Sequence, residues 1–131
     1  LRNSIDGDHR QQVSRIEKVL SKTEIAEAQK LVTQIHVEEK IIRYIAQIMQ
    51  ETRANSSLFL GASPRASVAI LNASKAYAAI RGRDFVTPED VKVIALPALR
   101  HRVVLTPEKE MEGIGVDEVI RQIVDKIEIP R

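Results

Sequence analysis

Leu60-Gly61-Ala62-Ser63-Pro64-Arg65-Ala66 opens the longest uninterrupted helical signal in the chain and places an arginine in the first turn of that helix. Ser63 suits the N-cap. Pro64 suits the first helical position, where its missing N–H would have had no partner and its φ is already helical. Arg65 thus stands at the positive end of the helix dipole, which disfavours a cation by a few tenths of a kcal/mol unless an anion is shared there. A solvated arginine and an anion-binding arginine both fit this placement.

From Pro64 to Gly82 the helix carries Val68, Ile70, Leu71, Tyr77 and Ile80 among Ala66, Ala69, Ala73, Ala76, Ala78 and Ala79. Alanine favours helix and lets neighbouring helices approach, so this segment is expected to be the central, most buried helix, with Ala73 and Ala76 facing close neighbours. Gly82 is a natural left-handed cap at its end. Thr87-Pro88-Glu89-Asp90 is a second helix start, with Val91, Ile94, Ala95, Ala98, Leu99 and Val103 as its inner face. Pro97 is expected to kink or divide that helix. Arg100-His101-Arg102 can answer the dipole at its end.

Upstream, Thr23, Glu24 and Glu27 signal a helix start, with Ile25, Ala28, Leu31 and Val32 on one face of a helix from about 24 to 32. Val32, Ile35 and Val37 then alternate as an extended connection with His36 on its polar side. Glu38 and Glu39 open a further helix, with Ile41, Tyr44, Ile45, Ile48 and Met49 at helical spacing to about Arg53. Leu58, Phe59 and Leu60 are expected to tuck the following loop against the core. Thr106-Pro107-Glu108 repeats the start signal, but Gly113 and Gly115 keep that element short. Val116, Val119, Ile120, Ile123, Val124 and Ile127 mark a last amphipathic helix. Val13, Ile16 and Leu20 recur at helical spacing with little apolar support, as a short helix or an extended arm. The fold expected is all-α, a compact bundle of about five helices with short loops.

The 131 residues are 44% hydrophobic and suit one core. Charge is nearly balanced at +2 and aromatics are 3% with no Trp, which disfavours nucleic acid as a partner. There is no cysteine, and His9, His36 and His101 are too scattered to suggest a metal site. No apolar run approaches the roughly 18 to 20 residues of a membrane span, and no signal-peptide core opens the chain. A soluble, cytoplasmic protein without a membrane partner is expected. The phosphate-cradling G-x-x-x-x-G-K-[ST] and the G-x-S-x-G nucleophile motif are absent. The acidic pairs Glu38/Glu39, Glu89/Asp90 and Asp117/Glu118 all fall at helix starts, where the dipole explains them.

The run LGASPRASVAILNASKAYAAIRGRDFVTPEDVKVIALPALRHRVVL, from Leu60 to Leu105, resembles the C-terminal lid domain of MoxR-family AAA+ ATPases. Glu51-Thr52-Arg53 before it and Val116 to Pro130 after it also match that family's pattern. The resemblance covers residues 19–131, expected to form the lid. Residues 1–18 match nothing and are expected to be a linker or leader. By this resemblance Gly61-Ala62-Ser63-Pro64-Arg65 corresponds to the sensor 2 motif. Arg65 is then the catalytic, phosphate-contacting residue, and Ser63, Pro64 and Gly61 belong with it to the nucleotide-binding segment. The phosphate-binding loop, the Mg²⁺-binding acid and the arginine finger would lie on an AAA+ core domain absent here. ATP and Mg²⁺ are thus implied for a full-length parent that hydrolyses ATP. The isolated chain is expected neither to hydrolyse ATP nor to bind it tightly.

The resemblance further implies a homo-oligomeric ring, usually a hexamer, and chaperone-like action on an unidentified client protein. Two other readings stand beside it. One is a stand-alone helical interaction module with an apolar groove against the 116–127 helix. The other is a DNA-binding domain using Arg81, Arg83, Arg100 and Arg102.

Overall fold

The computed structural model describes residues 17–130, so Val13, Ile16 and most of the 1–18 segment lie outside the described residues. The chain divides into two compact units, Leu1–Lys30 and Leu31–Arg131. In the first, the Ser21 hydroxyl accepts the Glu24 N–H at 3.1 Å while the Glu24 carboxylate accepts the Ser21 N–H at 2.6 Å. This reciprocal capping box starts helix α1, Lys22–Gln34, earlier than a Thr23 start would allow. None of its residues is buried, and Ile25 and Leu31 are exposed.

In the second unit, residues 35–37 are extended as their alternation predicts. The His36 N–H donates to the Asp84 carbonyl at 2.8 Å, and the His36 carbonyl accepts the Val86 N–H at 3.0 Å, as an isolated parallel bridge to Phe85. The His36 side chain is exposed.

Helix α2, Glu39–Ala54, follows with Ile41, Tyr44, Ile45, Ile48, Met49 and Thr52 buried at the expected spacing. Strand β1, Leu58–Leu60, leads to helix α3, Pro64–Ile80. Here the structure departs from the expectation of a most-buried helix. The inner stripe of α3 is Ala66, Ile70, Ser74 and Ala78, while Ala73 and Ala76 are only half-buried and Val68 and Ile80 are exposed. Alanine spread around the whole helix left its inner face undetermined by pattern, whereas the isoleucines of α2 fixed theirs.

The end of α3 is closed by Gly82, at φ +72°, with its N–H on the Ala79 carbonyl and the Arg83 N–H on the Ala78 carbonyl. This pair of bonds is a Schellman cap, and it turns Arg83 back toward the next helix.

Helix α4, Pro88–Leu99, runs through Pro97 without dividing. Pro97 is exposed in the last turn, and the helix ends two residues after it. Val103, expected on the inner face of this helix, is buried beyond it, at the entry to strand β2, Val104–Leu105.

Strands β1 and β2 pair antiparallel, with Leu58 opposite Leu105 and Leu60 opposite Val104 across an irregularity. Leu58 and Leu105 face the core, whereas Phe59, Leu60 and Val104 are exposed, so only part of the 58–60 loop tucks inward. The short helix α5, Pro107–Met111, ends before Gly113, and α6, Val116–Lys126, buries Val119, Ile120, Ile123 and Val124. Most of the apolar stripe of α6 thus faces the core, and beside it a cavity of about 180 Å³ is lined by Val93, Leu96, Ile120 and Val124.

The architecture is helical throughout apart from this small sheet, with six helices among the described residues. The core gathers around α2, with α3 packed on α2 and α4, and α6 on α2 and α4. Tyr44 is buried at its centre. Burial, with Asp125 and Glu89 nearby, pushes its phenol up, and the hydroxyl has no hydrogen-bond partner among the described residues.

Candidate functional site

Three helices open with a hydroxyl residue followed by proline, at Ser63-Pro64, Thr87-Pro88 and Thr106-Pro107, but their starts differ. At α4 the Thr87 hydroxyl accepts the Asp90 N–H, the Asp90 carboxylate accepts the Thr87 N–H, and Glu89 and Asp90 sit in the first turn. That start is closed and its dipole answered. At α3, Ser63 occupies the N-cap position with extended backbone, φ −75° and ψ 161°, as expected. Its side chain makes no cap hydrogen bond, and the first turn contains no acid. The Ser67 hydroxyl donates to the Pro64 carbonyl at 2.6 Å.

Arg65 is exposed and makes no hydrogen bond or ion pair among the described residues. Pro64 and Ser63 are exposed beside it, and Gly61 is half-buried. A cation and the positive end of a 17-residue helix thus share one place, with no acid in the first turn and no ion-pair partner among the described residues. Such a place favours a phosphate. A guanidinium fork matches two phosphate oxygens, and the site rests on that side chain, because Pro64 has no N–H and the Ala66 N–H already donates to the Ser63 carbonyl at 2.9 Å.

The other arginines of interest are engaged within the protein. Arg81 donates to the Tyr77 hydroxyl at 2.7 Å and lies over its ring. Arg83 makes two bonds to the Asp90 carboxylate, at 2.8 and 2.6 Å. Arg100 pairs with Asp117 at 3.0 Å rather than simply answering the end of α4. Arg102 donates to the His101 ring at 3.2 Å. The four residues a duplex-binding reading would need are therefore drawn into helix ends and cross-links. Among the described residues no group of three or more His, Asp or Glu side chains is placed to hold a metal ion.

Sequence reasoning placed Arg65 but missed what holds the segment before it. A Cβ on Gly61 would come within 2.6 Å of the Thr52 carbonyl oxygen and 2.7 Å of the Arg53 Cα, so the loop lies directly on the end of α2. The signal was present in Glu51-Thr52-Arg53, which the family resemblance included without a role. Replacing Gly61 by alanine should force this backbone contact apart and destabilise the chain by about 1 to 3 kcal/mol, measurable by chemical denaturation. Unchanged stability would mean that the contact yields freely.

Helices of this order and packing make a small helical lid of the AAA kind. The AAA lid domain profile matches residues 50–123, and the chain belongs to that family, as the lid domain of a MoxR-family AAA+ ATPase. It is 36% identical over 118 residues to protein YeaC of Bacillus subtilis, covering 90% of this chain and 37% of that protein. It is 30% identical over 123 residues to chaperone MoxR1 of Mycobacterium tuberculosis, covering 87% of this chain and 33% of that protein. A crystal structure of a candidate ATPase from Cytophaga hutchinsonii superposes with a TM-score of 0.81 at 29% identity, over 99% of this chain and 41% of that one. The chain therefore spans only 33% to 37% of the length of these two curated relatives.

Proposed function

We propose that this chain is the lid of a longer AAA+ ATPase and that Arg65 contacts the phosphates of ATP held by the core domain of that protein. The observation that carries the reading is the placement of Arg65. It is exposed, without an ion-pair partner among the described residues, at an uncapped helix start with no acid in its first turn. Gly61, Ser63 and Pro64 form the segment that delivers it. Loss or transfer of the γ-phosphate would change what Arg65 holds, and the rigid α3 would carry that change into the rest of the lid. ATP and Mg²⁺ belong to the core of the full-length protein, and the lid supplies one guanidinium to the phosphate charge.

The wider reading includes a ring of identical subunits, a hexamer in this proposal, acting in the cytoplasm. It remodels a client protein, in keeping with the chaperone name of the M. tuberculosis relative. The deciding experiment is ATP turnover by the full-length protein with Arg65 replaced by alanine and by lysine.

A second reading, a helical interaction module, is favoured by an apolar groove between α2 and α3. It holds about 350 Å³, is lined by Ile42, Ile45, Met49, Pro64 and Val68, and exposes Ile42 and Val68. That reading predicts parental turnover for Arg65→Ala and impaired partner binding for Ile42→Asp.

A further inference from the structure

Between the end of α2 and the start of α3 the chain reverses, and the direction of Arg65 depends on how firmly that reversal is held. Thr52 is fully buried near the end of α2. Its hydroxyl donates to the Met49 carbonyl at 2.8 Å, and the same oxygen accepts the Ala62 N–H at 3.1 Å. One hydroxyl thus uses its proton and a lone pair on two backbone groups, which fixes its own rotamer and ties Ala62 to the helix. The next residue, Arg53, donates its Nε–H to the Ala62 carbonyl at 2.9 Å.

Both polar backbone groups of Ala62, itself 1% exposed, are held by two consecutive side chains of α2, while Gly61 presses on the α2 backbone. From this anchored residue to Arg65 there are only Ser63, extended, and Pro64, whose ring fixes its φ. Few soft torsions separate the clamp from the guanidinium.

We propose that Thr52 and Arg53 are positioning residues for Arg65, clamping Ala62 so that the arginine is already aimed when nucleotide is present. This rests on the reading of Arg65 as a phosphate contact. A phosphate bound by a planar fork tolerates little misdirection, and a displacement on the order of 1 Å can lower a rate by roughly 10²-fold. A clamp built only for folding would satisfy the Ala62 groups without its loss being felt through Arg65.

The test uses the full-length ATPase carrying Thr52→Val, Thr52→Ser and Arg53→Met, each alone and combined with Arg65→Ala. Rate constants for ATP turnover, KM and thermal unfolding are measured for each. Thr52→Val keeps the shape and removes the hydroxyl, so kcat should fall by roughly 10-fold or more with the protein folded at the assay temperature. Thr52→Ser should recover most of that loss. In the Arg65→Ala background, Thr52→Val should change kcat by less than about 2-fold, because the group it aims is gone. Its effect on unfolding should persist there. Should Thr52→Val fail to fold, Arg53→Met carries the same comparison from the exposed end of the clamp.

Equal kcat losses from Thr52→Val with and without Arg65 would overturn the inference and leave a purely structural role. Parental turnover in Thr52→Val and Arg53→Met, with turnover lost in Arg65→Ala, would overturn the positioning role and leave the phosphate contact standing. Parental turnover in Arg65→Ala itself would overturn the phosphate contact, and the positioning role with it.

Discussion

Replacing Arg65 by alanine in the full-length ATPase is expected to lower ATP turnover by roughly 10²- to 10³-fold, the size seen when one preorganised donor is taken from developing charge. The arginine finger of GTPases, at roughly 10³ to 10⁵, sets the upper bound, since in the proposed role Arg65 would share the phosphate charge with groups of the core. The lid should stay folded. The Arg65 side chain is exposed and makes no hydrogen bond or ion pair among the described residues, so none is broken by its removal. It even relieves an unanswered cation at the positive end of α3.

Lysine at the same place should rescue little, because an ammonium keeps the charge and loses the bidentate fork. Arg100→Ala is the comparison. It removes another exposed guanidinium, but one already paired with Asp117, and turnover should change far less. Parental turnover and unchanged nucleotide affinity in Arg65→Ala, or a defect traced wholly to unfolding, would end the proposal. The isolated chain should add nothing by itself, since one exposed ion pair contributes about 0 to 1 kcal/mol and a micromolar complex needs about 8.

The helices were legible where a local rule had a single solution. Ile41, Tyr44, Ile45, Ile48 and Met49 repeat at helical spacing and are all buried, and Val119, Ile120, Ile123 and Val124 likewise. Gly82 read as a left-handed cap and has a positive φ. Long-range features were not legible. The pairing of Leu58 with Leu105 joins segments far apart in sequence, and three or two apolar residues in a row give no period from which to read a strand. The inner face of α3 was hidden because alanine occupies every side of it. Pro97 was read as a breaker because pattern alone does not say that it falls on an exposed last turn.

At the candidate site, a hydroxyl-proline helix start and its arginine could be read from sequence. The clamp could not, because Thr52 and Ala62 meet only once α2 and α3 have packed. The contrast between the open start of α3 and the closed start of α4 was legible in part, since Asp90 stands three residues after Thr87 and Ala66 three after Ser63, but that the Asp90 carboxylate also reaches Arg83 was not.

That closed start carries the largest stability effect expected in the chain. Asp90→Ala should destabilise the domain by about 3 kcal/mol, the lower end of what breaking a buried ion pair costs, with a fall in Tm on the order of 10 °C. Three losses coincide at this carboxylate, whose side chain is 3% exposed: the capping box at Thr87, both bonds from Arg83, and the tie between the end of α3 and the start of α4. Burial pushes the Asp90 carboxyl up. The Arg83 hydrogen bonds, the Thr87 N–H and the Arg83 charge push it down and prevail, so its pKa lies below the ordinary carboxylate value.

A depressed folded pKa means that the unfolded chain binds the proton more readily. The stabilisation from this group is therefore fully present above the unfolded carboxylate range and is lost as pH falls through the folded value. The gap in unfolding free energy between the parental chain and Asp90→Ala should be constant from about pH 7 to pH 5 and should narrow progressively below about pH 4. Arg83→Met, which leaves the carboxylate in place, should reverse the trend. With the guanidinium gone, burial is opposed only by Thr87, and the variant should lose less stability than the parent on acidification. Denaturation curves at pH 7, 5 and 3 for the three proteins decide the matter. An Asp90→Ala deficit that is the same at pH 3 as at pH 7 would mean that the carboxylate charge contributes nothing to joining α3 to α4.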